Sequence, residues 1–309
     1  MKKNQKKIIF EPAPVLLFVY KRIITLKKVI KSLNENELVY RNELYIFSDG
    51  PKNESEKIQI KKLRSYLIKI KGFKKVKIFA RKKNIGLASN IIEGVSKIIK
   101  AKKKVIVIED DLILSKNFLQ YMNDNLEKYK NQKKVWHISG WNWNFNFPKH
   151  KYDFFFMRYA TCWGWATWKN RWQYFEKNPN KLIKSFNKSK IEKFNLDNSY
   201  NFWSQVIRNE KKIINTWAIF WYATIFVNKG LSINPVISQV RNIGNDSYST
   251  NLKGNITISK KIFKDYVPKK YPKIVQEDKI LLEIIKSKLR SNFLNKIFNK
   301  IFNKILSNN

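Results

Sequence analysis

Apolar residues in the first third of the chain fall into short unbroken runs separated by segments with a three-to-four-residue period. Residues 14–20 (Pro-Val-Leu-Leu-Phe-Val-Tyr), 43–48, 76–80 and 105–108 are such runs. Continuous apolar runs of this length predict strands buried on both faces. Between them, Ile23 to Leu33, residues 53–70 and Leu87 to Lys100 carry helical spacing; in the second, Ile58, Ile60, Leu63, Leu67 and Ile70 form the expected inner stripe. Strand–helix alternation of this kind predicts βαβ units, hence an α/β domain with a mostly parallel sheet flanked by helices. Leu112 to Tyr129 reads as a further helix.

The second half changes character. Residues 135–175 hold seven of the ten tryptophans, densest in Cys162-Trp163-Gly164-Trp165-Ala166-Thr167-Trp168. Indoles stack on sugar faces as well as filling cores. Most of the ten read as core, but Trp163, Gly164 and Trp165 read as a sugar- or acceptor-binding wall, with the glycine admitting a ligand close to the backbone. Val135 to Gly140 predicts another strand, 181–216 charged helices, 217–227 a helix apolar all round, and Leu231 to Pro235 a short strand. Residues 242–247 predict a polar loop that can serve as a lid. From Phe293 a repeat places Ile297-Phe298, Ile301-Phe302 and Ile305-Leu306 on one helical stripe flanked by Lys296, Lys300 and Lys304. A basic amphipathic helix of this kind suits an anionic membrane surface, and equally a docking site on the domain.

Composition narrows the chemistry. The 309 residues carry 63 Lys+Arg against 23 Asp+Glu, a net charge of +40. Such an excess attracts nucleic acid, anionic membranes or anionic substrates. Its lysine, asparagine and isoleucine bias also fits an AT-rich coding sequence. One cysteine, Cys162, excludes an internal disulfide and suits a reducing compartment. The two histidines, His137 and His150, have no partner at metal-ligand spacing. No stretch reaches the ~20 apolar residues of a membrane span, and the basic start runs into Glu11, Pro12, Lys21 and Arg22 rather than a signal-peptide apolar core.

Against this lysine background, the acid triplet Glu109-Asp110-Asp111 at the end of a buried strand stands out. Carboxyl ends of parallel strands line the ligand crevice of open α/β sheets. Lys21-Arg22, Asp49, Arg81 and the triplet fall on that edge. Two basic sites, one lone acid and one acidic cluster match a nucleoside diphosphate with a divalent cation. No phosphate-cradling glycine loop follows any strand, so metal and side chains must hold the phosphates.

These landmarks, from Pro14-Val15-Leu16-Leu17-Phe18-Val19-Tyr20-Lys21-Arg22 through Phe47-Ser48-Asp49-Gly50-Pro51, Asn84-Ile85-Gly86, the acid triplet, Ile138-Ser139-Gly140 and Cys162–Trp168 to Asn242-Ile243-Gly244, resemble bacterial nucleotide-sugar glycosyltransferases of the GT-A fold, related to the N-acetylglucosaminyltransferase I type and family 2-like. The resemblance implies a Rossmann-like catalytic domain over residues 13–255, with a nucleotide-sugar half (13–130) and an acceptor half (131–255), a basic segment at 1–12 and a helical tail at 256–309. It implies Asp111 as ligand to Mn²⁺ or Mg²⁺, Asp110 at the ribose, Glu109 at the transferred sugar, Asp49 at a uracil-type base, and Arg22, Arg81 and Lys82 near the nucleotide. The implied activity is inverting transfer from a nucleotide sugar, a UDP-sugar favoured, to a surface-polysaccharide or lipid-linked glycan acceptor. The implied location is the cytoplasmic face of the bacterial plasma membrane, with no nucleic-acid partner. One departure matters: relatives carry a catalytic acid after a tryptophan where this chain has Trp217-Ala218. Asp246 is then the first candidate base, ahead of Asp197 and Glu210. Three alternatives remain: a nucleotidyltransferase on a similar sheet, a nucleic-acid-binding protein, and a transferase that binds donor without turnover.

Overall fold

The computed structural model describes residues 11–143, 150–244 and 266–290. The opening alternation forms as the pattern predicts. β1 (Val15–Val19), α1 (Ile23–Asn34), β2 (Glu43–Ser48), α2 (Glu54–Leu67), β3 (Lys75–Ala80), α3 (Gly86–Lys102) and β4 (Lys104–Glu109) follow in order. The next segment departs from expectation. Leu112 to Tyr129 is not one helix: Leu112–Leu114 is a short strand, β5, and α4 begins only at Phe118 and runs to Lys128.

Downstream come β6 (Val135–Ser139), β7 (Phe154–Met157), β8 (Trp165–Trp168), α5 (Lys169–Trp172), α6 (Pro179–Ser185), α7 (Lys188–Phe194), α8 (Trp203–Glu210), α9 (Ala218–Val227), β9 (Leu231–Pro235) and β10 (Val240–Asn242). One eight-stranded sheet has the order β3-β2-β1-β4-β8-β6-β9-β7, and β10 pairs with β5 in a separate ribbon. Only β8 and β7 run against their neighbours; the remaining pairs are parallel. This is the mostly parallel GT-A sheet flanked by helices.

Helices cover both faces, as buried parallel strands require. α1, α2 and α4 pack on one face around Leu26, Leu63 and Met122. α3 and α9 cover the other with Ile91, Val95 and Trp221. On α2 the inner stripe is Glu56, Ile60, Leu63 and Leu67. Ile58, expected on that stripe, is 78% exposed.

The tryptophan-rich segment is chiefly core. β8 inserts between β4 and β6. Trp165 is 1% exposed, with ring centroids 5.2 Å from Trp217 and 5.7 Å from Trp172. Trp221 donates its indole N–H to Nδ1 of His137 at 3.0 Å, and the opposite ring nitrogen faces the Thr161 carbonyl at 2.9 Å. Burial pushes the His137 pKa down to about 3, so the imidazole stays neutral and structural.

The described part of the C-terminal tail packs on the domain. Residues 279–290 are helical and bury Leu281, Leu282, Ile285 and Leu289 in a third cluster with α7, α8 and α9. Glu277 takes both Arg158 Nε, at 2.9 and 3.1 Å, and the Arg158 backbone N–H at 3.0 Å. Lys286 pairs with Asp197 at 2.9 Å. The repeat from residue 293 lies outside the described residues. Among the described residues no helix is long and apolar enough to cross a membrane.

Candidate active site

The sheet reverses its winding between β1 and β4: β2 and β3 build outward on one side of β1, and the chain then returns to place β4 on the other. Such a switch point leaves a crevice at the strands' carboxyl ends. The register sets Glu109 beside Phe18, so both strands deliver their next residues to the same opening. Two contacts span it. The Tyr20 backbone N–H donates to Asp110 Oδ2 at 3.0 Å. Arg22 Nη1 donates to Asp111 Oδ2 at 2.9 Å, with both side chains largely shielded.

The β5–β10 ribbon closes the crevice on its far side. Leu112 lies opposite Asn242, and the Ile243 N–H donates to the Asp111 carbonyl at 2.8 Å. Gly244 then rests on the Asp111 carboxylate: a Cβ there would stand 2.1 Å from Oδ2 and 2.9 Å from Arg22 Nη1. Only glycine permits this approach. Glu109 ends β4, partly buried like its two neighbours. Burial raises its pKa well above the ordinary range, the Asp111 and Asp110 charges add to that, and Arg22 opposes it in part. Burial raises the Cys162 thiol as well, with the Glu109 charge contributing.

The other edge residues are distributed along β2 and β3. Asp49 is buried, and four groups of the chain itself donate to it: the Gly50 and Ile85 N–H to Oδ1 at 2.8 and 3.0 Å, the Gly86 N–H and Asn84 side chain to Oδ2 at 3.0 and 3.1 Å. It ties the turn after β3 to the end of β2. Arg81 lies along α3, bonded to Asn90 at 2.8 Å and paired with Glu93 at 2.8 Å. Lys82 is exposed and borders a shallow groove with Pro51, Lys57 and Arg64.

The glycosyl transferase family 2 model matches residues 15–195. The chain belongs to this family. No curated protein sequence matches it. Among solved structures, the transferase is similar to the mannosyltransferase PcManGT from Pyrobaculum calidifontis, in complex with GDP-Man and Mn²⁺, with 8% identity and a TM-score of 0.38 over 72% of this chain and 70% of that one. TarS of S. aureus gives 9% identity and a TM-score of 0.38 over 74% of this chain, which spans 36% of the TarS chain. GlyE of Streptococcus pneumoniae gives 11% and 0.33 over 72% of this chain and 45% of that one.

The expected aromatic wall needs correction in two of its three members. Trp165 is sealed in the core and offers no face to a sugar. Gly164 has a φ of +62°, and the room it leaves is filled by Val240 and Phe118, 2.8 and 3.1 Å from where a Cβ would sit. Its role is to pass the chain tightly under those side chains. Trp163 alone is partly exposed, edge-on to Trp141 at 4.5 Å. Of the acids considered for proton removal, Asp246 lies outside the described residues. Asp197 is held by Lys286 and Arg158, and Glu210 ends α8. Ala218 opens α9, packed against the second core cluster.

Three site-supporting residues escape a sequence reading. Glu56 accepts from the Tyr20 hydroxyl, from Lys21 Nζ at 2.9 Å and from the Lys52 N–H at 2.9 Å. Burial alone would raise its pKa, but the Tyr20 and Lys21 hydrogen bonds outweigh that and hold it at about 2. Arg64 donates to the carbonyls of Asp49 and Arg81 at 3.1 and 2.7 Å, binding the ends of β2 and β3 together. Asn90 holds Arg81. For Glu56 a signal exists: it extends the apolar stripe Ile60, Leu63, Leu67 by one turn, and an acid on an inner stripe calls for a partner.

Proposed function

We propose that this transferase carries a sugar from a nucleoside-diphosphate donor, a UDP-sugar by preference, to a glycan or lipid-linked acceptor of a bacterial surface polysaccharide, with inversion at the anomeric carbon. The observation that carries the reading is the Arg22–Asp111 pair across the β1/β4 switch point. It sets a cation and a carboxylate side by side where a parallel sheet binds its ligand.

Mn²⁺ or Mg²⁺ fits this donor set. Among the described residues no group of three or more His, Cys, Asp or Glu could hold a metal by itself. A hard cation bound with substrate phosphates, however, takes only one or two carboxylates and completes its shell with phosphate oxygens and water. Asp111 supplies such an oxygen donor, already in contact with one positive group. When bound, the ion would neutralise charge on the leaving diphosphate. The chain's own residues do the remaining work. The Tyr20 N–H fixes Asp110 for the ribose. Glu109, whose carboxyl burial keeps above the ordinary range, is the group proposed to meet the transferred sugar. Arg22 and Lys82 add positive charge at the mouth, and Arg81 and Asp49 shape the base side through the turn at 84–86. Trp163 offers the exposed aromatic edge for an acceptor sugar. Asp246 is the proposed base that takes the acceptor hydroxyl proton, a role that requires a carboxylate within hydrogen-bond reach of that hydroxyl. We place the enzyme at the cytoplasmic face of the plasma membrane.

The test is donor hydrolysis across a panel of nucleotide sugars, with EDTA and with Mn²⁺ or Mg²⁺ restored. Turnover should vanish with EDTA and return with metal, fastest on a UDP-sugar. Full turnover in EDTA would remove Asp111 from the role of ligand. A separate acceptor assay with Asp246→Asn should show turnover reduced ~10²–10⁴-fold at unchanged donor affinity.

A further inference from the structure

α1 and α2 lie side by side on one face of the sheet, with Lys27 Nζ of α1 placed 5.7 Å from the Tyr66 ring of α2. Their outward sides are unlike an ordinary solvated surface. Ile24 is 70% exposed, Ile58 78% and Ile68 74%. Exposed lysines stand one or two turns away on the same sides: Lys28 and Lys31 on α1, Lys62 on α2. With 3.6 residues per turn, Ile24, Lys28 and Lys31 share one stripe and Ile58 and Lys62 share another, while Ile68 caps α2 about 80° round from Ile58. Two acids border the face: Glu35 at the C-cap of α1, in line with Lys31, and Glu54, which is committed to Lys57 at 2.5 Å.

We propose that this α1–α2 face docks on an anionic lipid bilayer. Charge complementarity selects the occupant: lysines surrounding bare branched aliphatics match headgroup phosphates surrounding acyl chains. A nucleic acid is a poorer match, because sequence-tolerant nucleic-acid surfaces present aromatic stacking platforms and arginine between their cations, and this face presents isoleucine. The location also serves the chemistry. Ile24 lies two residues beyond Arg22, the partner of Asp111. Ile58 lies two residues beyond Glu56, which bonds Tyr20 and Lys21. That lock fixes the first turn of α2, which carries Ile58, against the end of β1, which leads into Ile24. Seated on this face, the crevice opens beside the bilayer surface, where a lipid-linked acceptor presents its sugar. The inference takes the lipid-linked acceptor from the function proposed above, but the docking itself involves neither donor nor metal.

Flotation of the full-length protein with phosphatidylcholine vesicles, with and without phosphatidylglycerol, tests it. Wild type should float with anionic vesicles. Lys28→Glu/Lys31→Glu/Lys62→Glu should lower the partition coefficient by about 100-fold at physiological salt, each lysine contributing about fivefold. Ile24→Ser/Ile58→Ser/Ile68→Ser should remove most of the binding that survives high salt. Unchanged melting temperature and nucleoside-diphosphate binding would show fold and donor site intact. Hydrogen exchange of unmodified protein gives a second reading: backbone amides in 23–31 and 57–69 should gain protection on anionic vesicles. Equal flotation of all three proteins, or protection confined to other segments, would overturn the proposal. So would variants that lose binding to duplex RNA but keep it to vesicles. Loss of donor hydrolysis with flotation intact would count against the proposed reaction and leave the docking face standing.

Discussion

The two sides of β4 solve different problems with the same sheet. On one side, β1, β2 and β3 are parallel, and their polar chemistry is concentrated at the carboxyl ends: Tyr20 and Arg22 meet β4's Asp110 and Asp111, and Asp49 and Arg81 lie farther along the same edge. On the other side, β8 and β7 run against their neighbours, and polar groups serve as internal fasteners. His137, Asn142, Ser232 and Asn234 are fully buried there, and His150 with Asp278 at 2.9 Å joins parts of the chain 128 residues apart. The first, the proposed donor side, is a regular scaffold that exports its polar groups to an edge. The second, the proposed acceptor side, is an aromatic mass held shut by long-range polar clamps. A substitution should therefore cost activity on the first side and stability on the second.

The sharpest challenge to that division is Trp165→Ala. Deleting a sealed indole should cost about 3–5 kcal/mol of unfolding free energy, read by denaturant titration, whereas Trp163→Ala should leave stability nearly unchanged and raise the KM for acceptor. A mild Trp165→Ala would mean that the tryptophan core is looser than its packing implies. The matching change on the donor side is Asp111→Ala. Donor hydrolysis should drop ~10²–10³-fold, the usual cost of removing a preorganised electrostatic partner, with the melting temperature held or slightly raised as one of three repelling carboxylates leaves. Unfolding of this variant would place Asp111 among the fasteners instead.

Much of the donor side was legible because strands buried on both faces leave uninterrupted apolar runs, and because the acids contrast with a lysine-rich chain. β5, β7 and β8 were not. β5 and β8 are three and four residues long, too short to show a period, and β8's tryptophans look the same in a core as on a sugar. Arg64 and Asn90 read as ordinary helix-surface residues; what gives them work is the three-dimensional meeting of strand ends. Glu277 and Asp278 were hidden for a different reason: their partners lie more than a hundred residues away.

Glu277→Gln sharpens the acceptor-side view at smaller scale. It removes the charge from the fork that grips Arg158, and should lower stability by about 2 kcal/mol with nucleoside-diphosphate binding unaltered. The smallest effect expected is a matter of pH. Glu56, ordinarily at 4.5, is held at about 2 in the folded chain. Its folded value is depressed, so its stabilisation is complete above pH 4.5 and fades as pH falls from there towards 2. Glu56→Gln should flatten that portion of the acid unfolding curve while leaving the curve above pH 5 parallel to wild type. An unchanged acid limb would mean that the Tyr20–Lys21–Glu56 lock is not held together by charge.

The position of Cys162 has a practical consequence. It is the chain's one thiol, and the Glu109 carboxylate is near enough to help raise its pKa. A sulfhydryl reagent therefore meets a single address, adjoining the acid triplet. Thiolate chemistry needs the deprotonated form, so labelling should be slow at neutral pH and accelerate in alkali. A small fluorinated tag attached there would give one resonance, positioned to register any change of charge around Glu109 without mutating the crevice.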